Sequence, residues 1–200
     1  MLWRCLPIAL ALTERLSRLR ERLNQDQAVL DDDDSLLWAA VAVVLAPNPD
    51  AILLIRRAER SGDPWSGHMA LPGGRKESGD SNLLDTALRE TWEEVGFHLS
   101  YEDLAGALQD VIPRTPVLPP IAVRPFVFIT GGRPDTLLSP EVTTATWVPL
   151  AQLLLPETHH LVRLDVAGES RLVEAYELSN GIVWGMTERI LTQLLNYLRD

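Results

Sequence analysis

Residues 71–97 join a strand end, a two-glycine turn and an acidic helix within one supersecondary unit, and no other segment constrains the fold as tightly. Leu71-Pro72-Gly73-Gly74 reads as a strand that turns sharply, because paired glycines permit positive φ and close approach of a ligand to the backbone. Leu83, Leu84, Ala87, Leu88, Thr91 and Val95 then recur at helical spacing, with Gly96 placed to end the helix in a left-handed C-cap. Glu90, Glu93 and Glu94 lie off that stripe at i, i+3 and i+4, so one turn stacks their carboxylates on one side. Acidic residues on a helix are usually only a solvated face. Here the like charges repel by about 0.2–0.5 kcal/mol per exposed pair, and the adjoining glycine turn predicts a cation between them. Hard oxygen donors on a rigid helix suit Mg2+ or Mn2+, which bind through a few carboxylates, waters and substrate phosphates. Glu90, Glu93 and Glu94 are therefore the candidate metal ligands.

The elements around this unit are mainly strands. Leu36 to Leu45 is a valine-rich apolar run, as in a strand buried on both faces. Asn48-Pro49-Asp50 makes a turn, and Ala51 to Arg56 returns as a strand, which predicts a hairpin. Leu104 to Val111, Ile121 to Thr130 and a short strand over Thr146 to Leu150 complete the set, and Val183 to Leu198 has helical spacing. Their order is not a repeating βαβ series. An α/β fold with a mixed sheet covered by helices is expected. Leu10 to Leu23 reads as an amphipathic helix, expected to cover the sheet or to bury against a second copy of the chain; a twofold homodimer is the commonest such pairing. Asp31 to Asp34 lack the spacing and glycine of a Ca2+ loop and read as a solvated linker. The expected division is an N-terminal helix and linker over 1–34 and one domain over 35–200.

Net charge is −10, which excludes wrapping of a nucleic-acid polymer, since phosphate-backbone binders neutralise charge with Lys and Arg. A small phosphorylated ligand stays compatible, because metal ions and a few arginines can meet it. Cys5 is the only cysteine, so neither an intrachain disulfide nor a Cys-based zinc site can form, and the cytoplasm is the default compartment. No run reaches the roughly 18–20 apolar residues of a membrane span.

Gly73-Gly74 followed by Arg89-Glu90-x-x-Glu93-Glu94-x-Gly96-Phe97 resembles the Nudix box of the Nudix hydrolases. The second half of that pattern is met in full except for Thr91, at a position that is usually aliphatic. In the first half, Asp80 stands where the family has glutamate, and eight residues rather than seven separate it from Arg89, which leaves Asp80 to cap the helix. The extra residue, together with Thr86-Ala87-Leu88-Arg89-Glu90 and Ile182 to Leu191, looks like the coenzyme A diphosphatase-like branch. The loop ahead of the glycines matches that branch incompletely: Arg57-Ala58 and Gly67 are in approximate register, Arg60 stands for its middle arginine, and Leu71 replaces phenylalanine.

The resemblance implies an α/β/α Nudix sandwich and Mg2+- or Mn2+-assisted hydrolysis of a phosphoanhydride. It implies that Glu93 or Glu94 also helps to deprotonate the attacking water, with Arg89 holding a neighbouring glutamate by a bidentate pairing. Gly73 and Gly74 shape the substrate loop. Arg57 and His68 are candidate substrate contacts, His68 against the commoner structural role of a loop histidine, and Trp65 either stacks on a base or anchors its loop. Glu141 reads as exposed surface. Three functions follow: a diphosphatase for coenzyme A or its acyl derivatives; the same chemistry on ADP-ribose, a dinucleotide or a damaged nucleoside triphosphate; and a Nudix-fold module that senses a nucleotide without cleaving it. Three clustered acids argue against the last. Loops 57–69 and 113–120 are expected to select the substrate.

Overall fold

The computed structural model describes residues 13–25, 36–59, 66–113, 121–166 and 169–199. Cys5, Asp31 to Asp34, Arg60, Trp65 and the connection 114–120 lie outside the described residues.

The apolar run folds as β1 (Leu37–Ala46) and alternates its side chains between two cores. Ala39, Val43 and Leu45 join one, and Ala40, Ala42 and Val44 the other. Each strand position is therefore buried on whichever face it points to, which is why the sequence shows a continuous run and not an alternation. On the first face lie α1 (Glu14–Gln25), through Leu16, Leu19 and Leu23, and the C-terminal helix, through Ile190, Leu191, Leu194 and Leu195. On the second lies α2 (Leu83–Val95), through Leu83, Ala87 and Val95, with Phe126 and Phe128.

The hairpin is brief. β2 (Ala51–Arg57) pairs with β1 only at Leu45↔Ile52 and Ala46↔Ala51, then diverges to pair with β3 (Met69–Ala70) and β7 (Val142–Pro149). The vacated stretch of β1 takes the glycine strand β4 (Gly73–Arg75), through Ala39↔Arg75, Ala40↔Gly74 and Val41↔Gly73. β1's other side runs parallel to β6 (Ile121–Ile129), which carries β5 (Leu104–Ala107) antiparallel. The result is a mixed seven-stranded sheet. α1 is tied to the β1–β2 turn: Thr13 Oγ1 donates to Asp50 Oδ1 at 2.8 Å and also accepts from Leu16 N–H at 3.3 Å as the helix cap.

Three expectations about elements are corrected. The strand predicted over Leu104 to Val111 stops at Ala107, after a register shift between Leu104 and Gly106, and Val111 keeps only an isolated bridge to Val123. The short strand predicted over Thr146 to Leu150 is the end of the longer β7, which passes at Leu150 into α3 (Leu150–Leu153). The helix predicted from Val183 starts two residues later. β8 (His159–Val166), β9 (Glu169–Leu178) and β10 (Gly181–Trp184) form a second, antiparallel sheet, and α4 (Gly185–Arg199) follows it. Exposed leucines and interspersed charges hide the hairpin's period, and the apolar pair Ile182-Val183 serves strand and helix patterns equally. No described helix is long and apolar enough to cross a membrane.

Candidate active site

Gly73 has φ +154°, and a Cβ there would stand 2.3 Å from the Ala40 carbonyl oxygen and 2.6 Å from Val41 Cα. That glycine is set by the approach of β1. Gly74 is set by the site itself: its Cβ would stand 2.2 Å from Glu90 Oε1. The two glycines thus answer to different neighbours, one to backbone and one to a carboxylate.

α2 starts at Asn82, whose Oδ1 accepts from Asp85 N–H at 3.0 Å, and ends at Gly96 in the left-handed region, its N–H on Trp92 O at 3.0 Å. Within it, Glu94 is buried at 6% exposure, and its Oε2 accepts from Gly73 N–H at 2.9 Å. Burial pushes the Glu94 carboxyl up to about 8. The Gly73 amide and the Arg57 guanidinium oppose the rise, and the charges of Glu90 and Glu141 add to it. Glu90 is also raised, by burial first, against the pull of Arg89. Burial is thus the first cause for both neighbouring carboxylates.

Arg89 organises the rest. Its Nε and Nη2 donate to Asp80 Oδ1 and Oδ2, both at 3.0 Å, while Nη1 reaches Glu90 Oε1 at 3.0 Å and Glu93 Oε2 at 2.9 Å. Asp80 also receives the Thr86 hydroxyl and the Glu77 N–H, both at 2.9 Å. The guanidinium is the main cause that holds the Asp80 carboxyl down at about 2. Asp80 therefore does not cap α2, as its sequence position suggests; Asn82 does, and Asp80 anchors Arg89.

Asp80→Asn is expected to lower stability by about 2 kcal/mol at pH 7. The native carboxyl titrates near 2 and its ordinary value is 3.8, so this stabilisation is present above pH 4 and is lost as pH falls from about 4 to about 2. Urea unfolding of both proteins at pH 7 and at pH 2 checks it: equal stability at pH 7, or an undiminished gap at pH 2, contradicts the anchor.

The three glutamates make different contacts. Among the described residues no group of three His, Cys, Asp or Glu side chains is gathered to hold an ion as the side chains stand. Glu93 is turned onto Arg89 and Glu94 onto Gly73, and the Arg89 guanidinium stands between Glu90 and Glu93. At Glu94 the Gly73 amide and the charge of Arg57 play that part, and burial outweighs them. The donor set still fits a hard divalent ion, because it offers only carboxylate oxygens and because burial disfavours the charged form of Glu94, which a bound cation would restore.

Of the other predicted residues, Arg57 acts on Glu94 through its charge, whereas His68 lies against Trp184, ring centroids 5.0 Å apart. Glu141 is exposed, as expected, yet its charge reaches Glu94. Its backbone carbonyl accepts from Ala58 N–H at 2.8 Å, which brings the start of β7 beside the end of β2. Nothing local in the sequence marks that residue, since its placement depends on the pairing of strands far apart in the chain.

A family model of the NUDIX domain matches residues 36–166. An uncharacterised protein of Schizosaccharomyces pombe is 43% identical over 119 residues, 57% of this chain and 36% of that protein, so the chain spans about a third of that relative's length. The uncharacterised Nudix hydrolase NudL of Salmonella paratyphi B is 32% identical over 175 residues, covering 87% of this chain and 83% of that protein. Among solved structures, a MutT/nudix family protein from Enterococcus faecalis shares the fold with a TM-score of 0.59 and 18% identity, covering 92% of this chain and 70% of that one.

Proposed function

This chain belongs to the NUDIX family of hydrolases, and we propose that it cleaves the diphosphate of a nucleotide joined to a second moiety, with coenzyme A or an acyl-coenzyme A as substrate and 3',5'-ADP and a phosphopantetheine as products. The observation that carries the hydrolytic reading is Glu94, a buried carboxylate fastened to the glycine strand and surrounded by further negative charge. Such a group is costly to ionise in isolation and becomes useful when a cation and a polyphosphate share the site. A module that only sensed a nucleotide would have no need of it.

Glu90 and Glu94 would hold Mg2+ or Mn2+, with Glu93 joining once released from Arg89. Bound there, the ion would neutralise the diphosphate, polarise phosphorus and lower the pKa of water. The chain's own groups do the rest. Gly73 N–H fixes one oxygen of Glu94, and Gly74 leaves room for Glu90 against the turn. Arg89, clamped on Asp80, is a positioning residue that sets the directions of Glu90 and Glu93. Glu93 or Glu94 takes the proton of the attacking water, and Glu141 is a further acid at that end of the site. Arg57 is the cation for a phosphate oxygen.

The coenzyme A assignment is supported by the Asp80 spacing and by the segments 86–90 and 182–191 in their likeness to that branch of the family. A panel of coenzyme A, acyl-coenzyme A, ADP-ribose, NADH, diadenosine polyphosphates and oxidised nucleoside triphosphates, each with Mg2+ and with Mn2+, tests it by products. Release of 3',5'-ADP is the expected result. Cleavage of ADP-ribose or a dinucleotide in its place would keep the chemistry and replace the substrate, and no turnover of any compound would return the sensing role.

A further inference from the structure

A cavity of about 290 Å3 lies between the end of β2, β3 and the second sheet, apart from the glutamates. Its floor is Met69, buried at 4% exposure, and Gly181 lets the two sheets meet there: a Cβ at Gly181 would stand 2.9 Å from Met69 Cγ. His68 and Trp184 form one wall, their rings at 67° and so offering a face beside an edge. Arg56 and Asp165 supply the charges in the lining, and Arg56 is held by its Nε donating to Gly67 O at 3.1 Å. Arg57, next in the chain, acts on Glu94. The cavity and the glutamate site thus take neighbouring residues of one strand, Arg56 and Arg57, between which the pairing of β2 with β7 shifts register.

We propose that this cavity is a subsite for an amino-bearing purine, Trp184 and His68 packing on the ring, Asp165 accepting from its exocyclic amine, and Arg56 meeting the sugar phosphate. The inference rests on the nucleotide reading above and adds to it which end of the substrate is recognised, and by what. Ligand pockets run from about 300 Å3 upward, so this volume holds a base with its sugar and not a whole diphosphate-linked molecule. Aromatic faces bind any base, whereas a carboxylate discriminates, because it can only accept a hydrogen bond. Gly181, Ile182 and Trp184 lie beyond the family match at 36–166. Part of the lining, Gly181, Ile182 and Trp184, therefore comes from outside the matched region, while Asp165, Arg56 and His68 lie within it.

Calorimetric titration of AMP, IMP and ribose 5-phosphate into the full chain, with EDTA present to prevent turnover, tests this. AMP is expected to bind more tightly than the other two. Arg56→Gln and Trp184→Leu should each weaken AMP about tenfold or more, and Asp165→Asn should narrow or reverse the preference for AMP over IMP. Arg56 and Asp165 are exposed, so those two variants keep the test decisive if Trp184→Leu does not fold. Equal binding of AMP and ribose 5-phosphate, or AMP affinity unchanged in Arg56→Gln and Asp165→Asn, overturns the subsite. Turnover with Mg2+ is scored separately. Diphosphate cleavage with unaltered KM in these variants overturns the subsite alone, while AMP binding that depends on them without any cleavage supports it and overturns the hydrolase reading.

Discussion

Glu94→Gln is expected to lower Mg2+-dependent diphosphate hydrolysis by about 10^3-fold or more, the loss that follows when a principal electrostatic group of a reaction is removed. The fold should persist. Glutamine keeps an oxygen that can accept from Gly73 N–H, and it is nearly the shape of the side chain it replaces. The variant also separates the two consequences of burying this acid. In the wild-type chain without metal, the native carboxyl titrates near 8 and its ordinary value is 4.5. Between those values the folded state binds more protons than the unfolded one, so this group makes stability fall as pH rises from about 4.5 to about 8, and adds no further slope above. Glu94→Gln should remove that slope, leaving the metal-free variant at least as stable as wild type at pH 9. Denaturant titrations across pH 5–9, paired with single-turnover kinetics, measure both. Near wild-type turnover would remove Glu94 from the chemistry; a variant much less stable at pH 9 would mean that the carboxylate is structural.

The paired glycines should respond in opposite ways to the same methyl group. Gly73→Ala forces a Cβ onto the backbone of β1, at 2.3 Å from Ala40 O, with φ +154° adding strain. Backbone cannot step aside cheaply, so a loss of about 3 kcal/mol or more is expected, read as a lowered Tm or as failure to fold. Gly74→Ala meets first the far end of Glu90, at 2.2 Å from Oε1. A flexible side chain can turn away, so the protein should keep its melting behaviour while hydrolysis drops about 100-fold, as a misplaced ligand of about 1 Å does. Equal thermal damage from both substitutions would show that Gly74 serves the fold and not Glu90. Unchanged activity in Gly74→Ala would show that Glu90 need not stand where it does.

These contrasts mark how far the sequence could be read. The helix with Gly96 as its left-handed cap was legible because both its period and its stop signal are local. The buried strand was legible because ten successive apolar residues have few other uses. The capping role of Asp80 is overturned because a carboxylate ahead of a helix has two local uses, and only Arg89, nearly two turns inside α2, decides between them. The second sheet was missed because a hairpin with one exposed side carries weak alternation, and its pairing is a property of two segments at once.

The mixed sheet covered by helices and the clustering of the three glutamates are written along the chain as periodicity, glycine placement and residue spacing, and the family as a likeness to the Nudix box. Tertiary structure decided what those glutamates experience. Glu90, Glu93 and Glu94 span about 100° of the helix circumference, yet one is packed against Gly74, one is turned to Arg89 in solvent, and one is buried on the amide of Gly73. Charge, solvation and hydrogen bonding depend on what surrounds a group in space. That environment is assembled from β1, β4 and the start of β7, whose approach to α2 no local pattern records.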